Sequence, residues 1–344
     1  MAYTTINKST EHFDIRTYSA SGGGSVSDVA FQPDFLWFKN RTGAGDHGLM
    51  DAVRGITKIL HSNDNNAEAT SNGSNDFNAF TSNGFNYGAS SALDTGSGTP
   101  CTWLWKASGG LGSANTAGTI NSTVSVNTTA GFSIVRFTGT GANATVGHGL
   151  GSVPKMIILK KTNGGADWIV YHNSMGNTKA LKLNTTAALS TDNGYFNATT
   201  PTSTLFSLGN DGFSNGSSAT IIAYCFADVQ GYSKMGSYTG NGNANGTFVY
   251  TGFKPAFVMA KNTAVTSSWE ILDSTRNTFN PTAKSLFPDG TGVEYDYTNR
   301  VDLLSNGFKW RTNSSPNESG NSIIYMAFAK APLVGTNGVT AKAR

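Results

Sequence analysis

The stretch Pro33-Asp34-Phe35-Leu36-Trp37-Phe38-Lys39 leads into His47 and then Leu49-Met50-Asp51. It recurs as Pro154-Lys155-Met156-Ile157-Ile158-Leu159-Lys160, ahead of Trp168 and Val170-Tyr171-His172. A third copy, Pro255-Ala256-Phe257-Val258-Met259-Ala260-Lys261, precedes Trp269 and Ile271-Leu272-Asp273. In all three the ring residue follows the proline by 14 positions. Ungapped agreement over that span marks an internal repeat. Proline donates no ladder hydrogen bond, so it fits the first position of a strand. Phe35–Phe38 and Met156–Leu159 are continuously apolar rather than alternating, which implies burial on both faces. The stretch therefore reads as the central strand of three similar β units.

Working outward, each copy is preceded by a strand-like run and a Gly-rich turn. These are Phe13–Tyr18, Ser133–Phe137 and Ser233–Tyr238, followed by turns around Gly22, Gly139 and Gly240. Each copy is followed by Lys58-Ile59-Leu60, Lys179-Ala180-Leu181 or Lys284-Ser285-Leu286, and then by a polar loop of variable length. The copies converge again at Asn83-Gly84-Phe85, Asp211-Gly212-Phe213 and Asn306-Gly307-Phe308, which read as hairpin turns. Each unit closes on an aromatic-rich strand, Thr102–Ala107, Ala223–Asp228 or Tyr325–Lys330, which we pair with the organising strand.

The expected class is all-β, with three tandem β-sandwich-like repeats of roughly 100 residues, each large enough to hold its own core. The boundaries are 1–108, 131–230 and 231–332, with a Gly/Ser/Thr/Asn linker over 109–130 and a loose C-terminal tail over 333–344. The second junction, Val229–Tyr232, is nearly absent. The expectation is a rigid pair of second and third units, with the first more independent.

Charged residues make up only 13% of the chain, about half the usual share, and Gly, Ser, Thr and Asn replace them. Such a composition disfavours helices and favours strands and turns. The net charge of +3, with no Lys/Arg run, argues against a nucleic-acid-binding face. Cys101 and Cys225 make no disulfide framework and read as small buried hydrophobes. No secretory signal opens the chain, and no apolar run reaches the roughly 18–20 residues of a membrane span. The expectation is a soluble protein, made in a cytoplasm.

No catalytic constellation stands out. Only Asp51 and Asp273 occupy matching repeat positions, and the second copy has His172 there, so a glycosidase-like carboxylate pair is not expected. His47, His61, His148 and His172 lack zinc-site spacing, and no Gly-x-Ser-x-Gly elbow exists. Neither a metal nor a cofactor is expected. Aromatics are the more credible binding groups. The repeated rings Phe85, Trp103, Trp105, Trp168, Trp269 and Phe308 read as core. The non-repeated Tyr87, Tyr195, Phe196, Tyr295, Tyr297 and Trp310 are candidates for surface binding in loops.

Several phrases carry a resemblance. Met1–Ser9, Phe31–Trp37, Asp51–Gly55, Asn127–Val135, Val146–Gly151, Ala223–Ala227 and Leu304–Phe308 resemble a family abundant in phages of marine bacteria. Its members are usually described as tail-fibre proteins or domains of unknown function. The resemblance implies a virion structural protein, assembled in the bacterial host cytoplasm, whose partners are other virion proteins and a host-surface glycan or protein. It brings no catalytic residues. The chain has no long heptad stretch for a trimeric stalk, which motivates a second expectation, a decoration protein on the capsid or tail exterior. A polysaccharide depolymerase is a third. Whether three units mimic a trimer or three chains associate stays open.

Overall fold

The computed structural model describes residues 3–20, 22–70, 77–89 and 98–334. The first third of the chain forms β1 (Phe13–Thr17), β2 (Gly24–Val26), β3 (Phe35–Asn40), β4 (Gly48–Asp51), β5 (Lys58–His61), β6 (Ala69–Thr70), β7 (Phe77–Thr81), β8 (Gly84–Tyr87) and β9 (Pro100–Trp105). The middle third forms β10 (Ser113–Asn115), β11 (Ser122–Asn127), β12 (Phe132–Thr138), β13 (Ala144–Gly147), β14 (Met156–Lys161), β15 (Ile169–His172), β16 (Lys179–Lys182), β17 (Ser190–Thr191), one helical turn α1 (Asn193–Phe196), β18 (Leu205–Leu208) and β19 (Thr220–Phe226). The last third forms β20 (Ser233–Thr239), β21 (Phe248–Tyr250), β22 (Phe253–Asn262), β23 (Glu270–Asp273), β24 (Thr282–Ser285), β25 (Tyr295–Leu304), β26 (Gly307–Trp310) and β27 (Ser322–Pro332). The fold is all-β, and the strands named above pair antiparallel, with one isolated parallel bridge between Ile120 and Val146. Among the described residues no helix is long and apolar enough to cross a membrane.

Three larger sheets share one strand order. They run β1-β9-β3-β4-β5, then β12-β19-β14-β15-β16, then β20-β27-β22-β23. The closing aromatic strand lies between the first strand and the organising strand each time. A second sheet accompanies each: β2-β8-β7, β13-β18 and β21-β26-β25-β24.

The organising strands are buried on both faces because each separates two cores. Phe35 and Trp37, Met156 and Ile158, and Phe257 and Met259 all enter one common cluster. The alternate residues face separate cores: Leu36 and Phe38 one, Ile157 and Leu159 another, Val258 and Ala260 a third. At the centre, corresponding positions of the closing strands bring Trp105, Phe226 and Phe328 together. Their ring centroids form a triangle of 6.3, 5.7 and 6.0 Å. Side chains alternate across a strand, so one run supplies both the local and the common core.

This corrects several expectations. The first third is not independent, since its Phe13, Phe35, Trp103 and Trp105 are part of the common cluster. Residues 109–130 are not a linker, because β10 and β11 extend the middle sheet to eight strands. The tail expected over 333–344 lies outside the described residues from 335 onward. The Asn-Gly turns are displaced by one residue. β7–β8 and β25–β26 turn at Ser82-Asn83 and Ser305-Asn306, and the glycine opens the returning strand. A Cβ at Gly84 would lie 1.7 Å from the Val26 carbonyl oxygen, and one at Gly307 2.1 Å from that of Val249. Close approach of a neighbouring strand therefore demands these glycines. Asp211-Gly212-Phe213 makes no hairpin, and Asp211 Oδ1 instead accepts the Phe213 N–H at 2.7 Å.

Candidate functional site

Most of the recurring polar residues of the repeated stretch bond between thirds of the chain. Lys39, Lys160 and Lys261 are fully buried at the ends of their strands. Each ammonium donates to a carbonyl six residues on. Lys39 reaches Gly45 at 2.8 Å, Lys160 reaches Ala166 at 2.7 Å, and Lys261 reaches Ser267. Each also donates to a carbonyl in the loop of another third: Thr291 at 3.2 Å, Asn65 at 3.2 Å and Thr186 at 2.9 Å respectively. Those same loop carbonyls accept the N–H of Gly45, Ala166 and Ser267 at 2.8–2.9 Å. The first third thus holds the last, the second the first, and the last the second, which closes a ring. Sequence reasoning missed these contacts because their acceptors are backbone carbonyls, which leave no residue-type signal.

The ring position fourteen residues after the proline does the same in two of its three copies. Trp168 Nε1 donates to the His61 carbonyl at 2.8 Å, and Trp269 Nε1 to that of Lys182 at 3.0 Å. His47 accepts from Trp37 Nε1 on Nδ1 at 3.1 Å, so its proton sits on Nε2. That Nε2 faces the Phe287 carbonyl, although it has no partner at normal hydrogen-bond distance.

The Asp51, His172 and Asp273 position completes the set. Asp51 Oδ2 accepts from Tyr224 of the middle third at 2.8 Å, and Asp273 Oδ2 accepts from Trp103 of the first third at 3.1 Å. His172 Nε2 lies 3.3 Å from the Tyr325 carbonyl of the last third. Both aspartates are fully buried and paired with arginine, Asp51 with Arg54 at 2.5 Å and Asp273 with Arg276 at 2.6 Å. These are structural carboxylates on separate sheets.

Burial pushes the three lysines down to about 8. The folded state therefore releases protons that the unfolded chain keeps between pH 8 and the ordinary lysine value of 10.5. Stability should rise with pH from about 8. It should fall again above about 10, where the unfolded chain loses phenol protons. Folded Tyr171 and Tyr195 keep theirs because burial raises both to about 12. Thermal unfolding across this range checks the profile. Lys160→Met should flatten its rising limb, and an unchanged limb would count against the assignment.

Four of the six candidate aromatics are not at the surface. Tyr87 lies on β8 and Trp310 on β26, both buried, and Tyr195 and Phe196 form α1 inside the middle core. Their loops looked polar, but these rings are the apolar side of otherwise polar segments. Tyr295 and Tyr297 lie on β25 rather than in a loop. Tyr295 is 55% exposed, and its ring centroid is 4.4 Å from that of the half-buried Tyr297. The Arg300 guanidinium sits 4.2 Å over the Tyr297 ring, and Glu270 holds it at 2.6 Å. This cluster offers an exposed ring beside a fixed cation, a surface suited to stacking.

Of the histidines, His47 and His172 are accounted for above. His148 is buried, accepting the Leu150 N–H at 3.2 Å, and His61 lies 3.3 Å from Asp64. Cys101 and Cys225 are free and buried.

No curated protein matches this chain. The match to a known family runs over residues 8–332, from the segment before β1 to the last residue of β27. With that span covering all three large sheets, the chain belongs to the family described as a domain of unknown function (DUF7483).

Proposed function

We propose that this protein is a structural component of a phage virion, a tail-fibre or appendage subunit that helps contact the host surface. One observation carries the reading. The polar residues that recur in the chain are bonded between its three thirds, at the lysine, ring and Asp/His positions. Buried polar chemistry of this kind serves a rigid body, and recognition falls to the outer strands. On this reading the chain is three tandem copies of one β-sandwich-like unit arranged about the Trp105–Phe226–Phe328 triangle. The resemblance to phage proteins supports the same assignment.

A second reading is a decoration protein on the capsid or tail exterior. It is favoured by the common core, which gathers all three large sheets into one body instead of a shaft. Immunogold electron microscopy of particles that carry the chain separates the two by position. Tyr295→Ala/Tyr297→Ala should reduce host adsorption by tenfold or more while particle yield stays normal. Failed assembly with normal adsorption of the surviving particles would favour the decoration reading. Labelling absent from the particle would overturn both.

A further inference from the structure

Arg136 lies on β12 opposite Ile222 of β19, which in turn faces the buried Lys160 of β14. In the other two large sheets the same ladder row places Thr17 beside Cys101 and Lys39, and Ser237 beside Ile324 and Lys261. The cation is therefore peculiar to the middle third. So is what lies outside it. β1 and β20 are the outer strands of their sheets, whereas β10 and β11 extend the middle sheet beyond β12.

The Arg136 guanidinium has no carboxylate. Every other arginine among the described residues has one within 3.4 Å. Arg136 is exposed, and its side chain makes no hydrogen bond or ion pair with the described residues. An exposed cation by itself is only a solubilising charge. The surface around this one, however, is concave.

Arg136 borders a cleft of about 390 Å³ that Asn121, Thr123, Thr138 and Thr220 also line. Thr123 faces Arg136 across the β11–β12 ladder, and Thr138 faces Thr220 across β12–β19. Residues two apart on a strand share a face, so these groups stand on the side of the sheet that carries Ile134 and Ile222 into the common core. Beyond those isoleucines the apolar face gives way to hydroxyls, an amide and one guanidinium. None of the four neutral side chains makes a hydrogen bond within the described residues. The insertion that sets the middle third apart thus supplies one wall, through Asn121 and Thr123, beside the one unpaired arginine among the described residues.

Five free polar side chains in one cleft suit a ligand that is itself polar throughout. A hydroxyl both donates and accepts, and so does an amide, so Asn121 and the threonines match the hydroxyls of a sugar. A guanidinium matches a carboxylate or phosphate through paired N–H donors. The volume falls at the lower end of the range for small-molecule sites, about 300–1,000 Å³. We propose that this cleft binds an acidic saccharide, with its carboxylate or phosphate on Arg136 and its hydroxyls on Asn121, Thr123, Thr138 and Thr220. The inference stands on the cleft alone and does not rest on the virion reading.

The test is isothermal titration calorimetry of the full chain at low ionic strength with glucuronic acid, glucose 6-phosphate and glucose. Saturable binding of at least one acid is expected, about tenfold or more tighter than glucose. The acid that binds identifies the anion as carboxylate or phosphate. Arg136→Gln should bring that acid down to the level of glucose and leave the thermal unfolding midpoint unmoved, since the side chain is exposed and unpaired. Thr138→Val keeps the strand-favouring branch and loses the hydroxyl. It should weaken the acid several-fold, and it decides the matter if the glutamine variant fails to fold. Binding of neither acid, or binding unmoved by both substitutions, would overturn the proposal. So would inorganic phosphate or acetate binding as tightly as the sugars, which would leave an anion site without saccharide recognition.

Discussion

Trp105→Ala should unfold the entire chain in one step at lower denaturant, rather than loosen its first third. The indole is 1% exposed, and its centroid lies within about 6 Å of Phe13, Phe35, Phe226, Phe257 and Phe328. Those rings come from all three thirds of the chain. Truncation to alanine removes the apolar burial and leaves a cavity where three sheets meet, so the cost should be about 3–5 kcal/mol. Because the cavity is shared, near-UV and far-UV circular dichroism should report the same midpoint, in the variant as in the parent. Two separated transitions would show that the thirds are energetically independent. So would a folded fragment comprising residues 1–108. The Trp103 indole, bonded to Asp273 of the last third, makes that fragment still less able to stand alone.

The second large effect is Asp273→Ala. Arg276 is fully buried at its side chain and is held by Asp273 at 2.6 Å and Glu294 at 3.0 Å. Arg276 and the hydrogen bonds around Asp273 outweigh burial and keep that carboxyl below the usual carboxylate range. Removing it leaves the buried guanidinium to Glu294 alone and orphans Trp103 Nε1, for a cost of about 3–5 kcal/mol. The chain itself contains the alternative. Where the first and last thirds have Asp51-x-x-Arg54 and Asp273-x-x-Arg276, the middle third has His172-x-x-Met175. Met175 packs against the common core, and His172 is neutral, since burial lowers it to about 4. Asp273→His/Arg276→Met should therefore cost less than half as much as Asp273→Ala. A histidine nitrogen can accept from Trp103, as His47 does from Trp37. Urea unfolding of the single and double variants measures the coupling. A double variant as unstable as Asp273→Ala would show that the ion pair itself, rather than the under-paired guanidinium, decides stability.

The candidate surface was only partly visible in the residues. Tyr295 is exposed on a strand, and Tyr195, Phe196, Tyr87 and Trp310 are buried. All six are aromatic residues in polar surroundings, and one-dimensional context does not say which side of a short strand or turn faces a core. Tyr195 points inward because Asp192 caps α1 by accepting the Gly194 N–H at 2.7 Å, which orients the turn. Phe248 and Tyr250 on β21 are exposed, yet nothing in their local sequence sets them apart from core-facing rings. Their exposure follows from what β21 lacks beside it.

The order of residues alone determined the strand periodicity, the central place of Phe35–Phe38 and Met156–Leu159, and the pairing of each closing strand with its organising strand. These follow from apolar patterning, which is local and survives in any fold that buries both faces of a strand. The tertiary structure alone decided that Trp105, Phe226 and Phe328 meet, that residues 113–127 are strands rather than a linker, and that Lys39, Lys160 and Lys261 bind carbonyls in another third of the chain. Each of these depends on which backbone groups lie opposite after the three sheets close around one core. Backbone carbonyls are identical in every residue, so their partners are set by geometry and not by residue type.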